Sequence, residues 1–111
     1  MPSKNTAKDK FSPIRKGLLE FVVLKTIAAN KVYAADILEL LMGSEFETQE
    51  GTLYPLLSKL RRDDLVDYEW VESDAGPPRK YYRLTDKGSA HLSELAAYWR
   101  QLNTTIETLG A

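Results

Sequence analysis

The chain has 111 residues, 43% of them hydrophobic, which makes one domain with a single modest core. It has no cysteine, and this removes disulfides, thiolate zinc sites and thiol catalysis together and fits a reducing compartment. A formal net charge of −1 runs against the basic balance usual for nucleic-acid binding, so any such role must rest on how charge is distributed.

Residues 1–12 are polar and aperiodic and read as a flexible basic arm. Up to Lys16 the segment sets Lys4, Lys8, Lys10, Arg15 and Lys16 against Asp9 alone, although such a run is as readily a solvated face. It lacks the apolar stretch of a signal peptide, and nowhere does an apolar run approach the roughly 20 residues of a membrane span. Cytoplasmic localisation without a membrane partner is therefore expected. Ser12-Pro13 opens a first helix, since serine accepts from an unpaired amide and proline surrenders an N–H that had no partner. The helix runs to about Ala29. Its apolar residues, from Ile14 through Leu18, Phe21 and Leu24 to Ile27, cover more than one stripe, which predicts one face on the core and another on a partner.

Asn30-Lys31 makes a stop, and Ala34 to Met42 forms a short second helix ended by Gly43. After a loop over Ser44 to Glu47, Thr48 is expected to cap a third helix with Glu50 in its first turn. Leu53, Leu56, Leu57 and Leu60 mark its buried side, and Thr52, Ser58, Lys59, Arg61 and Arg62 the opposite one. Pro55 lacks an amide hydrogen and crowds the Gly51 carbonyl, so the regular helix either starts near Thr52 or begins at Gln49 with a distortion at Gly51. Alternation over Val66 to Val71 and Lys80 to Leu84 predicts two strands, with Glu72 to Pro78 as the turn. Thr85 caps the last helix. Along it Leu92, Leu95, Trp99, Leu102, Ile106 and Leu109 alternate steps of three and four, a heptad seam suited to a homodimer.

An enzyme fits poorly. With His91 as the one histidine there is no triad with a conventional base, no cluster of metal ligands and no phosphate-cradling glycine loop, so no cofactor is expected and His91 reads as an ordinary surface or interface residue. Helix 3, by contrast, has the inventory for a duplex. Gln49 can bond adenine, Thr52 and Ser58 can reach bases or phosphates, Tyr54 can donate its phenol to a phosphate, and Lys59 supplies charge. The N-terminal part of such a helix enters the groove, which puts Gln49, Thr52 and Ser58 nearest the bases, while Arg61 or Arg62 is expected to pair with acids of helix 2 or with Asp63 and Asp64. Arg79 and Lys80 stand at the turn end of the second strand, where side chains reach a phosphate or a minor groove; charge that merely protects a sheet edge is the plainer reading.

The order from Gly51 to Gly88 is a helix with a polar face, a hairpin and another helix. Within it, Thr52-Leu53-Tyr54-Pro55-Leu56 to Leu60 and Arg79-Lys80-Tyr81-Tyr82-Arg83-Leu84-Thr85-Asp86-Lys87-Gly88 resemble the paired signature of the PadR family of bacterial transcription regulators. The resemblance covers the chain from about Ile14. It implies a mainly α fold with a small β hairpin, a winged helix-turn-helix (α-α-α-β-β-α) over residues 13–84, and a C-terminal dimerisation helix over 85–111. It also implies double-stranded operator DNA as partner, and it strengthens Arg79 and Lys80 as DNA contacts. Two departures stand out. Pro77 replaces a basic residue of the family's G-R-P-R-K turn, and Tyr33-Ala34-Ala35-Asp36-Ile37 replaces Y-G-Y-E-I at helix 2. Trp99 on the seam reads as packing across the dimer. Similarity to the family's small multidrug-responsive subgroup, with its single C-terminal helix, adds another reading, a ligand-binding tryptophan that stacks a flat aromatic effector between the subunits and relieves repression. A ligand-independent regulator and a winged helix that binds proteins are the alternatives.

Overall fold

The computed structural model describes residues 10–29, 32–74 and 76–111. Most of the expected basic arm, the stop at Asn30-Lys31 and Ala75 of the turn lie outside these residues. In chain order the elements are α1 (Ser12–Ala29), β1 (Val32–Tyr33), α2 (Ala34–Leu41), α3 (Glu50–Arg62), β2 (Val66–Ser73), β3 (Gly76–Leu84) and α4 (Asp86–Leu109). The antiparallel sheet has the order β1-β3-β2. The architecture is thus the expected mainly helical one, with a short strand added in front of α2. No alternation can announce a strand as short as Val32–Tyr33, which forms because β3 offers it a ladder at Tyr81 and Tyr82. Among the described residues no helix is long and apolar enough to cross a membrane.

The core sits where α1, α2 and α3 converge on the base of the sheet. Val23, Leu24 and Ile27 come from α1, Ile37 and Leu41 from α2, and Leu53, Leu57 and Leu60 from α3, closed by Leu65, Val66 and Tyr82. Helix α2 starts cleanly because the Asp36 carboxylate accepts the Tyr33 backbone N–H at 3.1 Å, and it ends at Gly43, whose φ of +79° suits a residue without a side chain. The alanines in place of the family's glycine and aromatic therefore leave this helix's start intact.

Three local expectations are corrected. Gln49, not Thr48, is the N-cap residue of α3; the Gln49 carbonyl accepts the amides of Thr52 (3.0 Å) and Leu53 (2.9 Å), so the helix begins early and carries Pro55 inside it. The segment from Glu72 to Pro78 is mostly strand rather than turn. Val71 pairs with Arg79 and Ser73 with Gly76, so two residues, Pro77 and Pro78, oppose Glu72 alone, and this bulge accommodates prolines that have no N–H to give a ladder. Finally, of the two arginines expected to offer a pair to helix 2, Asp63 or Asp64, Arg61 turns instead to β2. It lies 3.7 Å from the Asp67 carboxylate on β2 and over the Tyr68 ring at 4.5 Å, because the helix wheel turns it toward the sheet.

The end of α3 is tied to the start of α4. Asp64 takes a positive φ of 62°, and its carbonyl accepts from the Thr85 hydroxyl at 2.6 Å. Thr85 in turn accepts the Gly88 amide at 2.9 Å as N-cap, and Leu65 and Thr85 join through their backbones at 3.1 Å. Gly88 is buried directly against the Leu65 carbonyl, with no room for a side chain. The threonine and glycine of the signature are therefore a joint between two helices.

Candidate nucleic-acid interface

With 3.6 residues per turn, turning Leu53, Leu57 and Leu60 inward puts Gly51, Pro55, Ser58 and Arg62 on the opposite line of α3. All four are exposed, and three are small enough for a neighbouring surface to approach the helix backbone closely. Tyr54 and Arg61 flank this line toward the wing formed by β2 and β3, and Thr52, Leu56 and Lys59 flank it toward α1 and α4. Gln49 is exposed at the start of the helix.

Cross-strand register puts Tyr68 and Trp70 on one face of the wing with their partners Tyr82 and Lys80. That face turns toward α3. The Lys80 ammonium rests 4.6 Å from the Tyr68 ring centre and 5.5 Å from that of Trp70, and the Arg79 guanidinium lies 5.3 Å from the Tyr33 ring centre. Ring faces hold a cation in place without neutralising it. Arg83, by contrast, sits 3.7 Å from both Asp67 and Glu69, so its charge is compensated.

The expected DNA-contacting residues separate into groups. Tyr54, Arg79 and Lys80 line one concavity between α3 and the wing, and Ser58 and Lys80 line the adjoining one. Thr52 and Lys59 border a different groove. Lys59 donates to Glu20 of α1 at 3.1 Å and to Asp63 at 3.2 Å, and these two carboxylates, Glu20 foremost, hold its pKa above the usual lysine range. The other oxygen of Glu20 lies 3.3 Å from His91 Nε2, so one acid bridges α1, α3 and α4. Burial of Tyr82 pushes its phenol pKa up.

The groove that Thr52 and Lys59 border runs between α1 and α4, a cavity of about 620 Å3 lined by apolar side chains that include Leu18, Phe21, Leu56 and Tyr98. Trp99 stands in its wall, 40% exposed, between Leu95 and Leu102 of the seam. The seam then leaves the domain. Leu92, Leu95 and Leu102 are half-buried, whereas Ile106 is 67% and Leu109 81% exposed.

A model of the PadR-like transcriptional regulator family matches residues 23–94, a span that takes in the core of α1, α3, the wing and the joint. The chain belongs to the PadR-like family. A PadR-like transcription factor of Bacteroides fragilis is 48% identical, with a TM-score of 0.78 over 91% of this chain and 98% of that one. A PadR family regulator of Eggerthella lenta is 29% identical, with a TM-score of 0.83 over 98% and 96% of the two chains. Among curated proteins, a transcriptional regulator of Mycobacterium tuberculosis is 36% identical over 72 residues, 65% of this chain and 66% of the relative. PadR regulators are DNA-binding proteins without enzymatic activity and are generally dimeric, so this chain is a transcriptional regulator and no catalytic centre is to be sought in it.

Two features escaped the sequence. The stacking of Lys80 on Tyr68 and Trp70 needs the strand register, which the bulge at Pro77-Pro78 hides. Glu20 sits among apolar neighbours on α1, and only the crossing of three helices shows why a carboxylate stands there.

Proposed function

We propose that this PadR regulator is a cytoplasmic homodimer that represses transcription from a pseudo-palindromic operator and releases it when a flat aromatic ligand enters the groove at Trp99. The observation that carries this reading is the shared wall. Thr52 and Lys59 of α3 line the same groove as Trp99, so whatever fills that groove touches the reading helix from behind. For release, the ligand must bind the DNA-incompetent arrangement more tightly than the competent one.

The dimer reading rests on α4, whose seam is apolar to its end although Ile106 and Leu109 stand in solvent. A second copy placing its own α4 against this seam covers those residues and sets Trp99 beside a partner surface. Two-fold symmetry then spaces the recognition helices by about 34 Å, one turn of DNA. Tyr54, Ser58, Arg79 and Lys80 are proposed to face that DNA, Gln49 to reach a base from the start of α3, and Thr52 and Lys59 to sit where ligand and DNA are coupled.

The test is selection of duplexes from the DNA upstream of the gene itself, followed by anisotropy titration with and without a planar dye. Sequence-preferring, salt-dependent binding that the dye weakens is the expected result. Binding that ignores the dye, with the dye bound, would leave a ligand-independent regulator; no duplex binding at low salt would return the chain to a protein-interaction role.

A further inference from the structure

The wing carries more than two basic residues. Trp70 is 62% exposed, an unusual placement for so large a ring, and it faces the concavity between the wing and α3 with Tyr54, Arg79 and Lys80 around it. Among the described residues no carboxylate pairs with Arg79 or Lys80, although acids are plentiful on β2 and compensate Arg83. A polyanion is the occupant that such uncompensated charge suits.

We propose that one sugar-phosphate strand of bound DNA seats in the concavity between α3 and the wing, with Lys80 as its phosphate-binding group and Trp70 as a direct contact to the adjoining deoxyribose. The inference rests on the DNA-binding role of the family and deepens it. Tyr68 and Trp70 are positioning residues for Lys80. Their rings hold its ammonium toward α3, and the long, flexible side chain loses less freedom on meeting a phosphate than it would from bulk solvent. The outer part of the Trp70 ring, which no protein group covers, offers an apolar surface to a sugar, whose hydrogens pack well on an aromatic face. Tyr54 and Ser58 on α3 form the opposite side of the seat. Pro77 then has a reason to stand where the family's turn pattern has a basic residue: charge at the tip is exchanged for a stiff bulge that fixes Lys80 and Trp70 in register.

The chain has two tryptophans, so Trp99→Phe makes Trp70 the sole emitter. This variant is titrated at low salt with a mixed-sequence duplex of about three helical turns, labelled so that anisotropy reports binding independently. Expected is a fall in Trp70 emission and in its quenching by acrylamide, in step with the anisotropy. DNA binding with Trp70 emission and acrylamide access unchanged would overturn the seat; shielding of Trp70 without DNA, on concentrating the protein, would make the ring a contact between copies and overturn it equally. Absence of any anisotropy change, with the unaltered chain as well as with this variant, would instead sink DNA binding itself. Should Trp99→Phe fold poorly, Trp70→Phe subtracted from the unaltered chain gives the same signal. A second arm compares Trp70→Ala, Trp70→Phe and Lys80→Ala. Trp70→Ala should weaken binding about two- to five-fold, with Trp70→Phe restoring most of it, and the Trp70→Ala, Lys80→Ala pair should lose less than the two losses combined. Full additivity would show that Trp70 does not position Lys80.

Discussion

Gly88 shows how little latitude a single residue can leave. Its position faces the Leu65 carbonyl so closely that a methyl group has nowhere to go, and the obstacle is backbone rather than a side chain that can swing aside. Gly88→Ala should therefore cost roughly 1–3 kcal/mol, at the upper end of that range, measured by urea unfolding. A loss below about 0.5 kcal/mol would mean that α4 shifts freely and that no joint exists. Tyr82 and Lys59 give a second test at this scale. Burial raises the Tyr82 pKa, and the Glu20 and Asp63 carboxylates raise that of Lys59. For both groups the folded state holds its proton longer than the unfolded chain. Their contributions are thus intact below the unfolded values near pH 10 and are lost as pH rises through the folded ones. Stability should fall in alkali, and Tyr82→Phe, which removes one of the two protons, should flatten that fall when urea midpoints are compared from about pH 9 to 11.

Among the elements, α4 is the one the rest of the fold cannot satisfy. Its first half closes over the core beside α1, and its second half carries Ile106 and Leu109 into solvent. Leu102→Glu with Ile106→Glu should dissociate the proposed dimer at micromolar concentration, since each large side chain returned to water forfeits roughly 1.5–3 kcal/mol. Sedimentation of the two forms decides it, and a well-folded monomer for the unaltered chain would remove the dimer altogether. The helices were legible in the sequence because Leu53, Leu57 and Leu60, or Val23, Leu24 and Ile27, declare a buried side through spacing alone. Thr48 has the better capping side chain, yet the helix begins one residue later, with the Gln49 carbonyl taking the first backbone bonds. In the wing, prolines argue for a turn, and a bulge lets them stay within a strand. Site residues were legible as types and not as directions. Thr52 and Ser58 look equivalent on paper, yet Ser58 lies on the exposed line of α3 and borders a concavity with Lys80, while Thr52 flanks that line and shares a groove with Trp99.

For the whole molecule the question is how a chain of net charge −1 approaches a polyanion. Pairing resolves it. Acids neutralise Lys59, Arg61 and Arg83, and Arg79 and Lys80 keep their charge at the wing. Binding should then depend on salt through few phosphate contacts. Arg79→Ala or Lys80→Ala should each lower the salt slope by about one per site, and Lys59→Ala, already compensated by Glu20 and Asp63, by less. Equal losses for all three would show that Lys59 leaves its carboxylates for the phosphates. Ligand and DNA should also be linked. Trp99→Phe should keep duplex affinity but diminish the release caused by a planar dye, seen in competitive anisotropy, because it preserves packing and reduces the stacking surface.

The joint between α3 and α4 has a mechanical consequence. Helix α4 is a rod of 24 residues, fixed at one end to the Asp64 and Leu65 carbonyls and free at the other. At 1.5 Å per residue the rod is about 36 Å long, so a tilt of roughly ten degrees about the joint carries its far end through about 6 Å. A modest force on Leu109 in turn exerts a large torque at Leu65, three residues along the chain from Arg62 and the last turn of α3. Whatever grips the free end of α4 therefore has leverage over the aim of the reading helix, and the rigidity of a glycine that tolerates no methyl group is what keeps that lever from slipping on its fulcrum.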